Sequence, residues 1–146
     1  MPLAEKTAEC SWEGDLLHGS GIVTGGSGAF GELAVNWRSR AEGDQTETSP
    51  EELVAAAHAS CFAMALSHGL SEAGNLAEQI TVSAKVTLDR VDGNPTVTSS
   101  HLMVSGSVPG IDQAAFEQAA QDAGKNCPVS RALAGIEITV EARLED

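Results

Sequence analysis

Basic residues are scarce in this chain of 146 residues, in which 8 lysines and arginines stand against 21 aspartates and glutamates. The formal net charge of −13 at pH 7 repels phosphate backbones and anionic lipid headgroups. No apolar run of the ~20 residues that cross a bilayer stands out, and the N-terminus MPLAEKTAEC lacks the basic and apolar segments of a secretory signal. We therefore expect neither nucleic acid nor membrane as a partner, and a cytoplasmic location.

Cysteine is also sparse, with thiols at Cys10, Cys61 and Cys127. Three is an odd number, too small for the disulfide framework of a secreted protein, and the spacing differs from that of a zinc ribbon. In a reducing compartment such separated thiols are either inert core residues or redox and catalytic groups. The length and the 42% hydrophobic content predict one globular domain over residues 1–146.

The hydrophobic pattern predicts strands and helices in an α+β order. Strand-like segments at 8–15, 19–26 and 29–40 form a meander, and a long helix follows that begins after Ser49 and ends near Gly74. The rest of the chain predicts a hairpin of strands at 80–92 and 96–108. A helix at 112–126, a short helix from 128 and a last strand at 136–144 are predicted to follow. We expect the long helix to pack on antiparallel sheets.

The long helix has a marked start and little polar surface. Ser49 can cap it, and Glu52 follows at the spacing of a capping box. Across residues 53–66 the only polar side chains are His58 and Ser60, so the helix is apolar nearly all round and is predicted to be buried on most sides. Because the sheet of one small chain cannot cover so much apolar surface, we predict a homodimer.

Two of the cysteines stand where a thiol could react. Cys61 lies in the middle of the long helix, where a lone thiol is more often a packing residue. Cys127 precedes Pro128 at the start of a short helix, where free N–H groups favour a thiolate. Burial alone would raise the pKa of the Cys61 thiol, so a reactive Cys61 needs a nearby cation. Arg38, Arg40 and Arg131 are candidates for that cation.

His58 leaves two further interpretations open. It lies three residues before Cys61 on the same helix face, so a Cys–His arrangement for nucleophilic catalysis is sterically possible. A buried histidine with satisfied hydrogen bonds is the commoner case. His58, Cys61 and Cys127 are also permissible metal ligands, but neither CxxC nor HExxH accompanies them, and the pattern disfavours a metal site.

Two cysteine motifs carry a resemblance to a known family. SPEELVAAAHASCFAMAL is followed, 66 residues after its cysteine, by CPVSRAL, while WEGD lies near the N-terminus and RAEG lies before the helix. Over almost the whole chain this resembles the OsmC/Ohr family of organic hydroperoxide reductases, and the histidine and the placement of RAEG are similar to the OsmC branch. The resemblance implies an intertwined homodimer in which antiparallel sheets wrap long central helices, with active sites at the subunit interface.

The resemblance also implies roles for four residues. Cys61 matches the peroxidatic cysteine, Cys127 the resolving cysteine, Arg40 the arginine that holds the thiolate, and Glu51 the carboxylate that holds the arginine. The stretch between Arg40 and Pro50 is one residue longer than the family pattern, so Arg38 is an alternative to Arg40. Ten helical residues separate Glu51 from Cys61 by ~15 Å, so either Arg40 bridges them or Glu51 serves the other subunit.

The implied function is a thiol-dependent peroxidase with an antioxidant role in stress. A Cys61 thiolate reduces an organic hydroperoxide, becomes a sulfenic acid and forms a disulfide with Cys127, which a thiol or a dithiol such as a lipoylated protein regenerates. Apolar neighbours such as Phe62, Met64 and Leu66 favour an organic substrate, and no cofactor or metal is implied. The alternatives are a non-catalytic dimeric protein that binds a small ligand and a metal-binding stress protein.

Overall fold

The computed structural model describes residues 1–43 and 46–145 of the chain. In chain order the elements are β1 (Ala8–Glu13), β2 (Ser20–Gly25), β3 (Leu33–Val35), α1 (Trp37–Ala41), α2 (Pro50–Glu72), β4 (Gln79–Val91), β5 (Asn94–Ser107), α3 (Gln113–Asn126), α4 (Pro128–Ala132) and β6 (Glu137–Glu145). They form two compact units, Met1–Leu53 and Val54–Asp146, with the boundary inside α2. The α+β class is confirmed, and the single domain over residues 1–146 stays a prediction.

The first unit is built on an antiparallel meander of β1, β2 and β3, as predicted. Its third strand ends at Val35, so the prediction of a strand to residue 40 is wrong beyond that point. The reason is Asn36, whose backbone is extended and whose side chain accepts the N–H of Ser39 at 2.8 Å. This is an N-cap, and it turns the next five residues into the short helix α1.

Helix α2 begins and ends where the sequence predicts. At its start the Ser49 hydroxyl accepts the N–H of Glu52 at 3.1 Å, while the Glu52 carboxylate accepts the Thr48 hydroxyl at 2.6 Å. At its end Gly74 adopts a φ of 85°, and the N–H of Asn75 bonds to the carbonyl of Leu70 at 2.8 Å. A glycine in the left-handed region closes the helix because it has no side chain to strain there.

The sheet of the second unit has the strand order β4-β5-β6. The predicted β4–β5 hairpin is antiparallel, but β6 pairs with β5 in parallel. The expectation of antiparallel sheets is therefore wrong for this pairing. After β5 the chain passes through α3 and α4 before it enters β6, and such a helical crossover is the connection that parallel neighbours require.

The core of the second unit lies between α2, α3 and this sheet. Its fully buried side chains include Phe62 and Leu66 of α2, Leu102 of β5 and Phe116 of α3. These residues recur at helical and strand spacings, so each element turns one apolar face inward. The Gly106 position in β5 faces the Phe116 ring closely, because a Cβ there would lie 2.8 Å from its Cζ atom.

Much of α2 is nevertheless exposed in the single chain. Of its most apolar 18-residue window 22% is buried, and Met64 is 70% exposed. The expectation of burial on most sides is therefore not met within one chain. By length and composition α2 could cross a bilayer, so the expectation that no segment reaches that length is wrong. This property is a weak indication of a membrane, because the core helix of a soluble protein shares it.

Candidate active site

An ion pair in the first unit joins Arg40 to Glu51. Arg40 Nε donates to Glu51 Oε1 at 3.0 Å, and the Glu51 side chain is 9% exposed against 34% for Arg40. Arg38 instead points to solvent, where its Nε lies 3.7 Å from the carboxylate of Glu42. Of the two arginines that the sequence left open, Arg40 is therefore the one held by a buried carboxylate.

Local structure explains how this pair forms. Arg40 lies in the last turn of α1, and Glu51 lies in the first turn of α2. An isolated bridge between Val35 and Thr48 ties the two segments together. Within the described residues the second carboxylate oxygen of Glu51 is buried and has no hydrogen-bond partner. Because a buried carboxylate needs compensation, the pair holds both side chains in place.

A cavity of about 240 Å³ lies beside Arg40 in the first unit. Its walls are mostly apolar, and the side chains that form them include those of Trp12, Leu16, Val35, Trp37 and Pro50. Arg40 contributes a charged group to the same cavity. An apolar cavity with one polar group is typical of a site that takes a small organic molecule.

The second unit brings Cys61 and Cys127 together. Cys61 lies in the middle of α2 and is half-buried, whereas Cys127 is fully buried between α3 and α4. The Cys127 N–H closes α3 on the carbonyl of Ala123 at 2.8 Å, and its carbonyl accepts the N–H of Arg131 at 3.0 Å. The two thiols are close enough for each to shift the pKa of the other, and both are free.

The surroundings make Cys127 the more acidic thiol of this pair. Burial raises the pKa of Cys127, but the Ser130 side chain and backbone, the Cys61 thiol and the Val129 N–H together lower the pKa below its ordinary value. The Cys127 side chain makes no capping hydrogen bond, so the N–H groups at the start of α4 lower the pKa of Cys127 mainly through their partial positive charge. Burial, and secondarily the neighbouring Cys127, raise the pKa of Cys61, which the Val129 N–H offsets only in part.

His58 is a satisfied core histidine. It is fully buried, with Nδ1 at 2.7 Å from the Ser100 hydroxyl and Nε2 at 2.7 Å from the Ser130 hydroxyl. Burial lowers the pKa of His58, so the ring is neutral near pH 7. The ring nitrogens are therefore engaged by two serines and not by Cys61.

Two features of the site were absent from the predictions. Ser130 lies in the CPVSRAL motif, three residues after Cys127, and that spacing at a helix start could have indicated a contact with the thiol. Ser100 comes from the middle of a strand and carried no local signal. Within the described residues no group of three or more His, Cys, Asp and Glu side chains is suited to a metal ion. The predicted residues thus form two pairs, one in each unit.

Comparison with known proteins points to one family. The family model described as OsmC-like protein matches residues 43–141. The chain is 41% identical over 140 residues to peroxiredoxin OsmC of Escherichia coli (strain K12) and to that of Shigella flexneri, with 96% of each chain covered.

Solved structures agree with this. The organic hydroperoxide resistance protein OhrB of Bacillus subtilis is 26% identical, with a TM-score of 0.65 and coverage of 95% of this chain and 98% of that one. An OsmC protein of Legionella pneumophila has a TM-score of 0.75 over the full length of both chains and, at 22% identity, supports the fold alone. Since the family model spans most of the sequence and a relative at 41% identity spans 96% of it, the chain belongs to the OsmC family.

Proposed function

We propose that this protein is a thiol peroxidase that reduces organic hydroperoxides to alcohols, with Cys61 as the nucleophile and Cys127 as the resolving thiol. Relatives named peroxiredoxin and organic hydroperoxide resistance protein support a redox role. The observation that carries the proposal is the proximity of two free thiols, because Cys61 packs against the buried cluster that contains Cys127 and each thiol shifts the pKa of the other. Two free thiols in contact can store the two electrons that a peroxide bond takes up.

The reaction begins with a proton shared by the two sulfurs. Transfer of the Cys61 proton to the Cys127 sulfur leaves Cys61 as a thiolate. The thiolate attacks the terminal oxygen of the hydroperoxide, an S–O bond forms and the O–O bond breaks. The alkoxide takes a proton from solvent and leaves as the alcohol. Cys127 then attacks the Cys61 sulfenic acid, which forms the S–S bond and releases water.

Arg40 and Glu51 supply the electrostatic part of the proposal. A thiolate at Cys61 needs a cation because burial raises the pKa of its thiol. We assign that cation to Arg40, with Glu51 orienting the guanidinium, in the same chain or across a dimer. Support for this assignment comes from the family resemblance and from the ion pair of Arg40 with the buried carboxylate of Glu51, which favours Arg40 over Arg38.

The cavity beside Arg40 supports an organic substrate. Its apolar walls would accept the hydrocarbon group of a hydroperoxide, whereas hydrogen peroxide gains nothing from them. The sequence argument from the helix neighbours of Cys61 is weaker, because Phe62 and Leu66 face the core of the second unit. Replacing Trp37 by alanine should raise KM for cumene hydroperoxide more than KM for hydrogen peroxide.

The proposal includes a homodimer. Helix α2 is apolar nearly all round, yet 22% of its apolar window is buried in one chain, so a second copy is needed to cover the rest. Static light scattering should give twice the mass of the chain. The proposed cycle ends when an external thiol or a dithiol, such as a lipoylated protein, reduces the disulfide in the cytoplasm.

Thiol titration tests the proposal. One equivalent of cumene hydroperoxide should remove two of the three free thiols, a dithiol should restore them, and a chelator should change neither result. Cys61→Ser should abolish hydroperoxide consumption, and Cys127→Ser should allow one turnover before Cys61 is overoxidised. An unchanged thiol count would instead favour a non-catalytic ligand-binding protein, and loss of activity with a chelator would favour a metal-binding protein.

A further inference from the structure

A buried chain of hydrogen bonds runs from the strand β5 to the second thiol. Ser100 of β5, His58 of α2 and Ser130 of α4 are buried, and both ring nitrogens of His58 lie 2.7 Å from a serine hydroxyl. Ser130 lies three residues after Cys127, which is the N-cap residue of α4, and the Ser130 side chain and the Cys61 thiol both lower the pKa of Cys127. The peroxidase cycle described above uses none of the first three residues.

The chain has two proton arrangements that depend on Cys127. A hydroxyl has one proton, so while Cys127 is a thiolate the Ser130 hydroxyl donates to sulfur and accepts from His58 Nε2–H. The Nδ1 atom then accepts from Ser100. When Cys127 is a thiol it can donate to Ser130, which donates to Nε2, and Nδ1–H then donates to Ser100. The tautomer of His58 is thereby coupled to the proton of Cys127.

We propose that Ser130 is a catalytic residue and His58 a positioning residue of the resolving step, in which the chain takes up the Cys127 proton. This inference rests on the proposed function. As the Cys127 sulfur attacks the Cys61 sulfenic acid, its proton passes to Ser130 Oγ, and the hydroxyl proton of Ser130 passes to His58 Nε2. The S–S bond forms and the S–O bond breaks. The leaving hydroxide takes a proton from solvent at the half-buried Cys61 and becomes water, and the chain gives its proton back to Cys127 when the disulfide is reduced, so no additional oxidant or reductant is needed for this step.

The geometry favours the resolving thiol over the nucleophile as the target. Ser130 lies in α4 three residues after the N-cap residue Cys127, and no interaction of His58 with Cys61 occurs among the described residues. The peroxide-reducing step at Cys61 should therefore proceed without the chain. Condensation needs a deprotonated Cys127 inside the core, where solvent cannot take the proton.

A single-turnover experiment on the full-length protein separates the two steps. One equivalent of cumene hydroperoxide is added without reductant, peroxide loss reports the first step, and trapping of sulfenic acid by dimedone reports its lifetime. For Ser130→Ala and His58→Gln we expect peroxide loss within about 2-fold of the wild type and disulfide formation at least about 10-fold slower. Ser130→Thr keeps a hydroxyl and should recover most of that rate.

Matched controls come from outward-facing residues of β5. His101→Gln and Ser107→Ala change the same residue types outside the hydrogen-bond chain and should leave both rates at the wild-type value. Near-ultraviolet circular dichroism of each variant shows whether the fold is retained. A folded His58→Gln or Ser130→Ala protein that forms the disulfide at the wild-type rate would overturn the inference, as would equal slowing of both steps.

A second measurement keeps the inference separate from the peroxidase proposal. Nitrogen NMR shifts report which ring nitrogen of His58 carries the proton. In the reduced wild type we expect the proton on Nε2, and Cys127→Ala should reduce the population of that tautomer. If neither the wild type nor the variants consume hydroperoxide but Cys127→Ala changes the tautomer population, the proposed function fails and the coupling stands. An identical tautomer population in both proteins would overturn the coupling itself.

Discussion

Arg40 Nε lies 3.0 Å from Oε1 of Glu51, and this carboxylate is almost fully buried. Arg38, two residues earlier, makes a longer contact of 3.7 Å to Glu42 at an exposed position. Exposed pairs of this kind contribute little to stability, whereas a buried carboxylate fixes the orientation of its partner. The two arginines of one short helix thus differ in how firmly they are held.

This difference predicts unequal effects of two matched substitutions. Arg40→Met should lower kcat/KM for cumene hydroperoxide by about 100-fold, because a cation placed beside developing negative charge is lost. Arg38→Met on the same helix should stay within about 2-fold of the wild type. Steady-state kinetics with a dithiol reductant measure both. A larger loss for Arg38→Met would transfer the role to Arg38.

The Cys61 thiol should become more acidic when Cys127 is replaced by serine. Burial raises the pKa of Cys61 most, and the hydrogen bond and charge of Cys127 raise it further. Cys127→Ser removes the second contribution and leaves burial unchanged, so the pKa of Cys61 should fall. The thiolate ultraviolet absorbance as a function of pH, measured in a Cys10→Ser background, follows this titration. A higher or unchanged pKa would contradict the prediction.

His58 should make the protein less stable in mild acid. Burial lowers the pKa of His58 in the folded state, so the unfolded chain binds the proton more tightly. Stability should therefore fall as the pH drops below the ordinary histidine pKa of about 6.5, down to the folded-state pKa. The free energy of unfolding can be measured with urea about one pH unit above and below that value. Its difference between the two pH values should be smaller for His58→Gln than for the wild type. His68→Gln, at an exposed position, should retain the wild-type change.

Two glycines of the second unit should respond oppositely to the same substitution. A Cβ at Gly106 would lie 2.8 Å from the Phe116 ring, so Gly106→Ala should destabilise the protein by about 1–3 kcal/mol through displacement of the ring. A Cβ at Gly124 in α3 would meet Val140 and Phe62 at 3.8 and 3.9 Å, which is ordinary contact. Gly124→Ala should therefore stabilise by up to about 1 kcal/mol through helix propensity. Urea denaturation measures both changes, and a neutral Gly106→Ala would show that the ring adjusts freely.

Local patterns predicted the elements of the fold better than their pairing. Strict alternation marked β4, β5 and β6, and the capping residues Ser49 and Asp112 lie at the predicted helix starts. The direction of β6 could not be read in this way, because the alternation of a strand is the same whether its neighbour is parallel or antiparallel. The helix α1 was missed because Asn36 interrupts an alternating segment with a cap.

The sequence likewise predicted some residues of the candidate site and missed others. The two cysteines were found from their motifs, and in the structure Cys61 packs against the buried cluster that contains Cys127. The choice between Arg40 and Arg38 required the partner of each side chain, which depends on how α1 meets the start of α2. Ser100 became part of the site through a contact 42 residues away in sequence, which no local pattern indicates.

Cys127 has no exposed surface, and its backbone is held by α3 on one side and α4 on the other. In the proposed cycle an external reductant therefore attacks the sulfur of Cys61, which is the less buried sulfur of the disulfide. The mixed disulfide would then form on α2, and Cys127 would depart as the thiolate, which the donors at the start of α4 favour. The burial of Cys127 thus determines which sulfur of the disulfide is attacked by the reductant and which one leaves.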